Sequence, residues 1–82
     1  MPTLRQIEIF VRLAEMENMG EAAMALGLTQ PALSQQLRAL EGRLGLRLFE
    51  RVPKGMQLTP SGRNILEPAR AVLRAPRGCG IR

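Results

Sequence analysis

Apolar residues recur at spacings of three and four through the first part of the chain. Leu4, Ile7, Phe10, Val11 and Ala14 gather into one stripe if the segment is helical, with Arg5, Glu8, Arg12 and Glu15 outside it. Thr3 opens the segment with Gln6 three residues on, the spacing of a capping box. A first helix to about Met16 follows. Asn18, with Glu21 three residues later, marks a second start. Ala22, Ala23 and Leu26 come next, then Gly27, the residue best suited to a left-handed stop. The pattern predicts a short second helix over about Met19 to Leu26. Its small alanines allow a neighbouring helix to cross closely.

Thr29 caps a third helix, from about Thr29 to Arg43. Pro31 lies in its first turn, where a missing N–H costs little. Leu33, Leu37, Leu40 and Leu44 form its buried stripe. Steps of about 100° place Pro31, Ala32, Gln35, Arg38 and Ala39 on the opposite side, with Ser34 on a flank. No carboxylate occurs between Gln30 and Leu40, and Gly42 and Gly45 loosen the end. Two short helices joined by a tight Gly-containing turn make a helix-turn-helix pattern.

From Leu46 the period changes to two. Leu46, Leu48 and Glu50 alternate with Arg47, Phe49 and Arg51, and Met56 and Leu58 alternate after Pro53-Lys54-Gly55. A small β-hairpin, or wing, is predicted, carrying Arg51 and Lys54 toward its tip. Thr59 and Pro60 then start a fourth helix whose stripe is Ile65, Leu66, Ala69, Val72 and Leu73. Pro68 lies inside that pattern and predicts a kink near Asn64 to Glu67. Residues 75–82 have no periodicity and read as a disordered tail. The resulting fold class is mainly α: three helices, a hairpin wing and a C-terminal helix, divided as residues 1–58, 59–74 and 75–82.

Length and composition narrow what such a fold does. A chain of 82 residues supports one small core, which buries only about two-thirds of the surface its unfolded form exposes, so a partner subunit would add stability. There is no His and no Asp, which removes catalytic triads and the usual metal clusters; no cofactor and no enzymatic activity are expected. No apolar run approaches the roughly 18 residues needed to span a bilayer, and the N-terminal segment is too charged for a secretory leader. The single cysteine, Cys79, cannot form an internal disulfide, consistent with a reducing, cytoplasmic setting. The net charge is +5, unevenly placed: residues 1–42 hold three Arg against five Glu, and residues 43–82 hold nine Arg or Lys against two Glu. That asymmetry points to a polyanion, either nucleic acid or an acidic membrane surface. The fourth helix, interrupted by Pro68, is a poor membrane-surface helix.

The residues also resemble one family. Leu4-Arg5-Gln6 with Phe10, Ala22-Ala23 with Leu26, and Thr29-Gln30-Pro31-Ala32-Leu33-Ser34 stand in register with Leu40-Glu41, Leu44-Gly45, Leu48-Phe49-Glu50-Arg51, and Leu58-Thr59 followed by Gly62. Together these blocks resemble the N-terminal winged helix-turn-helix of the LysR-type bacterial transcriptional regulators. The resemblance implies a dimeric domain that binds double-stranded DNA, with a recognition helix starting at Gln30-Pro31 and a wing on the backbone or minor groove. It also implies that the fourth helix is a linker helix pairing with its twofold mate. In that family a small-molecule effector is bound by a further domain, whose sequence does not appear in residues 75–82. Two departures stand out. Asn18-Met19-Gly20 replaces the Ser-Phe-Thr common in relatives, and Gln35 stands where many have Arg. A Gln favours adenine where an Arg favours guanine.

On this reading Gln30, Ser34, Gln35 and Arg38 are candidates for base-edge contacts, with Pro31 placed to touch a thymine methyl. Asn18, Thr29, Arg51 and Lys54 are candidates for phosphate or groove-edge positioning. Ile65, Ala69, Val72 and Leu73 are candidates for dimerisation. The plainer alternatives are a solvated helix face, ordinary surface charge, and packing of the fourth helix on the chain's own core. A winged helix can also be a protein-interaction module, which would favour exposed apolar or acidic residues on the third helix.

Overall fold

The structure is a computed structural model that describes residues 3–74; the tail reading for 75–82 and the position of Cys79 lie outside the described residues. The elements run α1 (Leu4–Met16), α2 (Met19–Leu26), α3 (Gln30–Leu44), β1 (Phe49–Val52), β2 (Gly55–Leu58) and α4 (Pro60–Arg74). The strands form an antiparallel pair in which Phe49 faces Leu58 and Val52 faces Gly55, leaving Pro53 and Lys54 as the turn. This is the winged helix-turn-helix read from the pattern.

Each helix starts where its cap predicts. Thr3 and Gln6 make the reciprocal capping box, Gln6 N–H donating to Thr3 Oγ1 at 3.0 Å and Thr3 N–H to Gln6 Oε1 at 3.1 Å. Asn18 Oδ1 accepts from Glu21 N–H at 2.9 Å and Thr29 Oγ1 from Ala32 N–H at 3.2 Å. Gly27 and Gly45 end α2 and α3 in the left-handed region, at φ 71° and 68°. Glu17 ends α1 the same way, at φ 56°, without being glycine. Its carbonyl oxygen accepts the N–H of Met56 at 3.2 Å, so this cap also ties the α1–α2 turn to the wing.

The core is built from more of α1 than the sequence stripe included. Ile9 and Leu13 are wholly buried beside Phe10, whereas Leu4 is exposed. α1 is covered on a broad arc because α2, α3 and α4 all pack against it. Leu33, Leu37 and Leu40 of α3 and Ala22, Ala23 and Leu26 of α2 complete the centre. Phe10 meets Phe49 with ring centroids 5.6 Å apart and planes tilted by 60°, joining the helices to the base of the wing.

The alternation expected from Leu46 onward is corrected. The strand starts only at Phe49, Leu46 faces outward, and Leu48 and Phe49 are both buried although adjacent. The cause is a corner: after the Gly45 cap the chain turns, and Glu41 Oε2 accepts the N–H groups of Leu48 at 2.7 Å and Phe49 at 3.4 Å. α4 is assigned as one helix across Pro68. Its start is fixed by Thr59, which accepts from Gly62 N–H at 3.1 Å, donates its hydroxyl to the Arg47 carbonyl, and donates its N–H to the Leu48 carbonyl at 3.0 Å. Gly62 is required there, since a Cβ would lie 2.5 Å from the Leu48 carbonyl oxygen.

Candidate nucleic-acid interface

α3 divides cleanly into a scaffold side and an open side. Leu33, Leu37 and Leu40 are buried, and Gln30, Pro31, Gln35, Gln36, Arg38 and Ala39 are exposed, with Ser34 half-buried between them. The first carboxylate on the helix is Glu41, and it is occupied by the backbone of Leu48 and Phe49. The open side therefore offers amide donors and acceptors, a guanidinium and small apolar groups. It offers no unengaged negative charge that would repel an anion.

Two adjoining clefts frame this surface. In one, Ser34 and Arg38 of α3 face Arg47 and Arg51 across the root of the wing. In the other, Asn18 and Gly20 in the first turn of α2, Gln30 at the start of α3, and Arg51 come together. Arg51 lines both clefts. It sits in β1 opposite Met56, so the hairpin pairing sets its position more firmly than a turn residue's would be set. Asn18 and Thr29 are exposed, and both already use a side-chain oxygen as cap acceptor, which leaves the amide hydrogens of one and the hydroxyl hydrogen of the other as donors. The N-termini of α2 and α3 both open near this region, where unpaired N–H groups favour an anion.

Lys54 is not in this group. It occupies the hairpin turn and lines a different cleft, with Gln57 and with Arg63 from the first turn of α4. The wing thus presents one cation toward α3 and another toward α4. Two basic residues of these clefts, Arg47 and Arg63, were absent from the sequence candidates. In the alternating pattern Arg47 is one position of a strand, yet the strand begins two residues later. Recognising the corner after Gly45 would have exposed Arg47, and nothing in the sequence pattern singles out Arg63.

The four candidates on α4 separate as well. Ala69 is 8% exposed and packs into the chain's own core, so its side chain is taken up within the chain. Ile65 and Leu73 are partly buried against the same core, and Val72 is 48% exposed. Ile7, Leu40, Leu44, Ile65, Pro68 and Val72 line an apolar groove between α1, the end of α3 and α4. Among the described residues no group of three potential ligands could hold a metal ion, and no helix is long and apolar enough to cross a membrane.

Comparison with known proteins agrees with this architecture. Residues 4–63 match the model of the bacterial regulatory helix-turn-helix protein, lysR family. The probable hydrogen peroxide-inducible genes activator of Mycobacterium xenopi is 50% identical over 74 residues, which is 90% of this chain and 39% of that protein. The SDS degradation transcriptional activation protein of a Pseudomonas species is 49% identical over 73 residues, 89% of this chain and 24% of that protein. Among solved structures, a CbnR DBD–DNA complex superposes with a TM-score of 0.81 at 42% identity, covering 87% of this chain and 82% of that one. Oxidised OxyR of Corynebacterium glutamicum gives 0.85 at 44% identity, covering 89% of this chain and 24% of that one. The chain spans 24 to 39% of the length of these two curated relatives. With the family model covering most of the described fold, the chain belongs to the LysR family of bacterial regulatory helix-turn-helix proteins.

Proposed function

We propose that this chain is the sequence-reading part of a transcriptional regulator, placing the Gln30 to Arg38 portion of α3 in the major groove of double-stranded DNA. The observation that carries this reading is the open face of α3: Gln30, Gln35 and Arg38 are exposed, no carboxylate precedes Glu41, and Arg51 stands beside it across the wing cleft. Side-chain amides and guanidinium groups are the groups that read base edges, through paired donors and acceptors. CbnR and BenM, both similar to this chain, were solved as DNA complexes of their DNA-binding domains, which supports the same partner here.

Within this reading Gln30, Ser34, Gln35 and Arg38 contact bases, with Pro31 against a thymine methyl. Asn18, Thr29, Arg47, Arg51 and Lys54 hold the phosphate backbone. A second copy of the chain, joined across α4 by Ile65, Val72 and Leu73, would supply a second α3, and two half-sites about one helical turn apart or a multiple of it would then be read. The partner places the activity in the compartment that holds the chromosome, the bacterial cytoplasm, and no catalytic step is assigned to any residue. Selection of bound sequences from a random duplex pool tests the proposal: a symmetric consensus is the expected result, and recovery of unenriched sequence would overturn it.

A further inference from the structure

Gly20 occupies the first turn of α2, and the space a side chain would fill there is already bordered on two sides. A Cβ at this position would lie 3.3 Å from Asn18 Oδ1 and 3.4 Å from Gln30 Nε2. The two neighbours are not equally free to move. Asn18 Oδ1 is held as the cap of α2, accepting from Glu21 N–H at 2.9 Å, so moving it by more than a few tenths of an ångström weakens that bond. Gln30 is exposed at the first position of α3, with a long side chain that can rotate at little cost. A methyl group at residue 20 would therefore only touch the Gln30 amide, whereas a side chain that extends beyond Cβ would displace it from the cleft that Asn18, Gly20, Gln30 and Arg51 share.

From this geometry we infer that Gly20 is a specificity-determining position that acts through Gln30: the bare backbone of α2 leaves room for the Gln30 amide beside it, and a side chain there takes that room away. The inference rests on the proposed DNA-reading role of α3 and adds a residue that makes no base contact itself. A bidentate amide contact to a base depends on the orientation of both its donor and its acceptor, so a displaced amide changes preference at one base position and leaves the others as they were. A residue with a purely structural role would lower affinity evenly across sequences.

The test is selection from a random duplex pool by the chain itself and by G20A, G20T, Q30A and the double variants G20A/Q30A and G20T/Q30A, with circular dichroism to verify that each is folded. Alanine adds only the methyl group, and at this half-buried helical position, where only side-chain ends lie near that methyl, it favours the helix, so G20A keeps the fold if G20T does not. The expected result is a change of about fivefold or more in relative affinity at one position of each half-site in G20T, a smaller change at the same position in G20A, and no further change when either is combined with Q30A. An unchanged consensus in G20A and G20T overturns the inference while leaving the DNA-reading role intact. A shift that persists in the Q30A background also overturns it, because residue 20 would then act on the duplex directly. Absence of any consensus with the unaltered chain overturns both.

Discussion

The carboxylate of Glu41 accepts the backbone N–H of Leu48 at 2.7 Å, seven residues further along the chain. This bond joins the last turn of α3 to the corner that leads into β1. A carboxylate near a helix C-terminus faces the negative end of the helix dipole, an unfavourable placement that the two N–H groups of Leu48 and Phe49 offset. Glu41→Ala leaves those partly buried donors without a protein partner, and the expected loss is about 1 to 3 kcal/mol in urea unfolding. Glu41→Gln keeps an acceptor oxygen and should lose less. Equal losses in both would assign the effect to charge and not to the bond.

Gly42 and Gly62 make opposite predictions for the same substitution. Gly42 lies in α3 with nothing within 4 Å of a built Cβ, so Gly42→Ala should stabilise the chain by about 0.5 to 1 kcal/mol. At Gly62 the methyl would meet both the Leu48 carbonyl oxygen at 2.5 Å and the Leu58 side chain at 2.8 Å. Because a backbone atom cannot rotate aside, Gly62→Ala should cost about 1 to 3 kcal/mol or more. Thermal unfolding of the two variants decides the matter, and a shift of equal sign would contradict the packing described at the start of α4.

These contrasts mark the limit of what the sequence made legible. Helix starts were readable because a cap is local: Thr3, Asn18 and Thr29 each satisfy an N–H three residues away. The open face of α3 was readable because its periodicity is sustained for fifteen residues. The breadth of burial on α1 was not, since Ile9 and Leu13 lie off the stripe that Leu4, Ile7 and Phe10 define and are buried by helices distant in sequence. The corner at residues 45–48 was missed for a related reason: Glu41 reaches it from seven residues back, and alternation of residue types imitates a strand. Ala69 lies in the chain's own core, the alternative that the α4 stripe left open, because periodicity shows that a helix face is covered and not what covers it.

Gln35 and Lys54 test whether reading and holding are separate tasks. Gln35 is exposed at the middle of the open face of α3, and Lys54 sits in the wing turn away from that face. Gln35→Ala should weaken binding by about 1 to 3 kcal/mol on the selected duplex and leave random duplex almost unaffected. Lys54→Ala should weaken both alike and lower the dependence of log K on log salt by about one, the release of one counterion. Titrations of both duplexes at several salt concentrations measure this directly. Equal losses on both duplexes for Gln35→Ala would remove it from the base-reading set.

Val72 tests the proposed pairing of two chains. It is 48% exposed, on the rim of the apolar groove that Ile7, Leu44 and Ile65 also line, so its substitution touches little of the chain's own core. Val72→Glu should therefore change the stability of a single chain by no more than about 0.5 kcal/mol, the usual range for a surface site. Covering that carboxylate with the apolar face of a second α4 is another matter, because an unpaired charge taken out of water costs several kcal/mol. The expected outcome is weaker association by about two orders of magnitude or more, read by sedimentation equilibrium at micromolar concentration, with an unchanged circular dichroism spectrum. Ala69→Glu separates the two faces of α4: it places the charge in the chain's own core and should unfold the monomer instead. If Val72→Glu associates as the unaltered chain does, the second copy does not lie on this face.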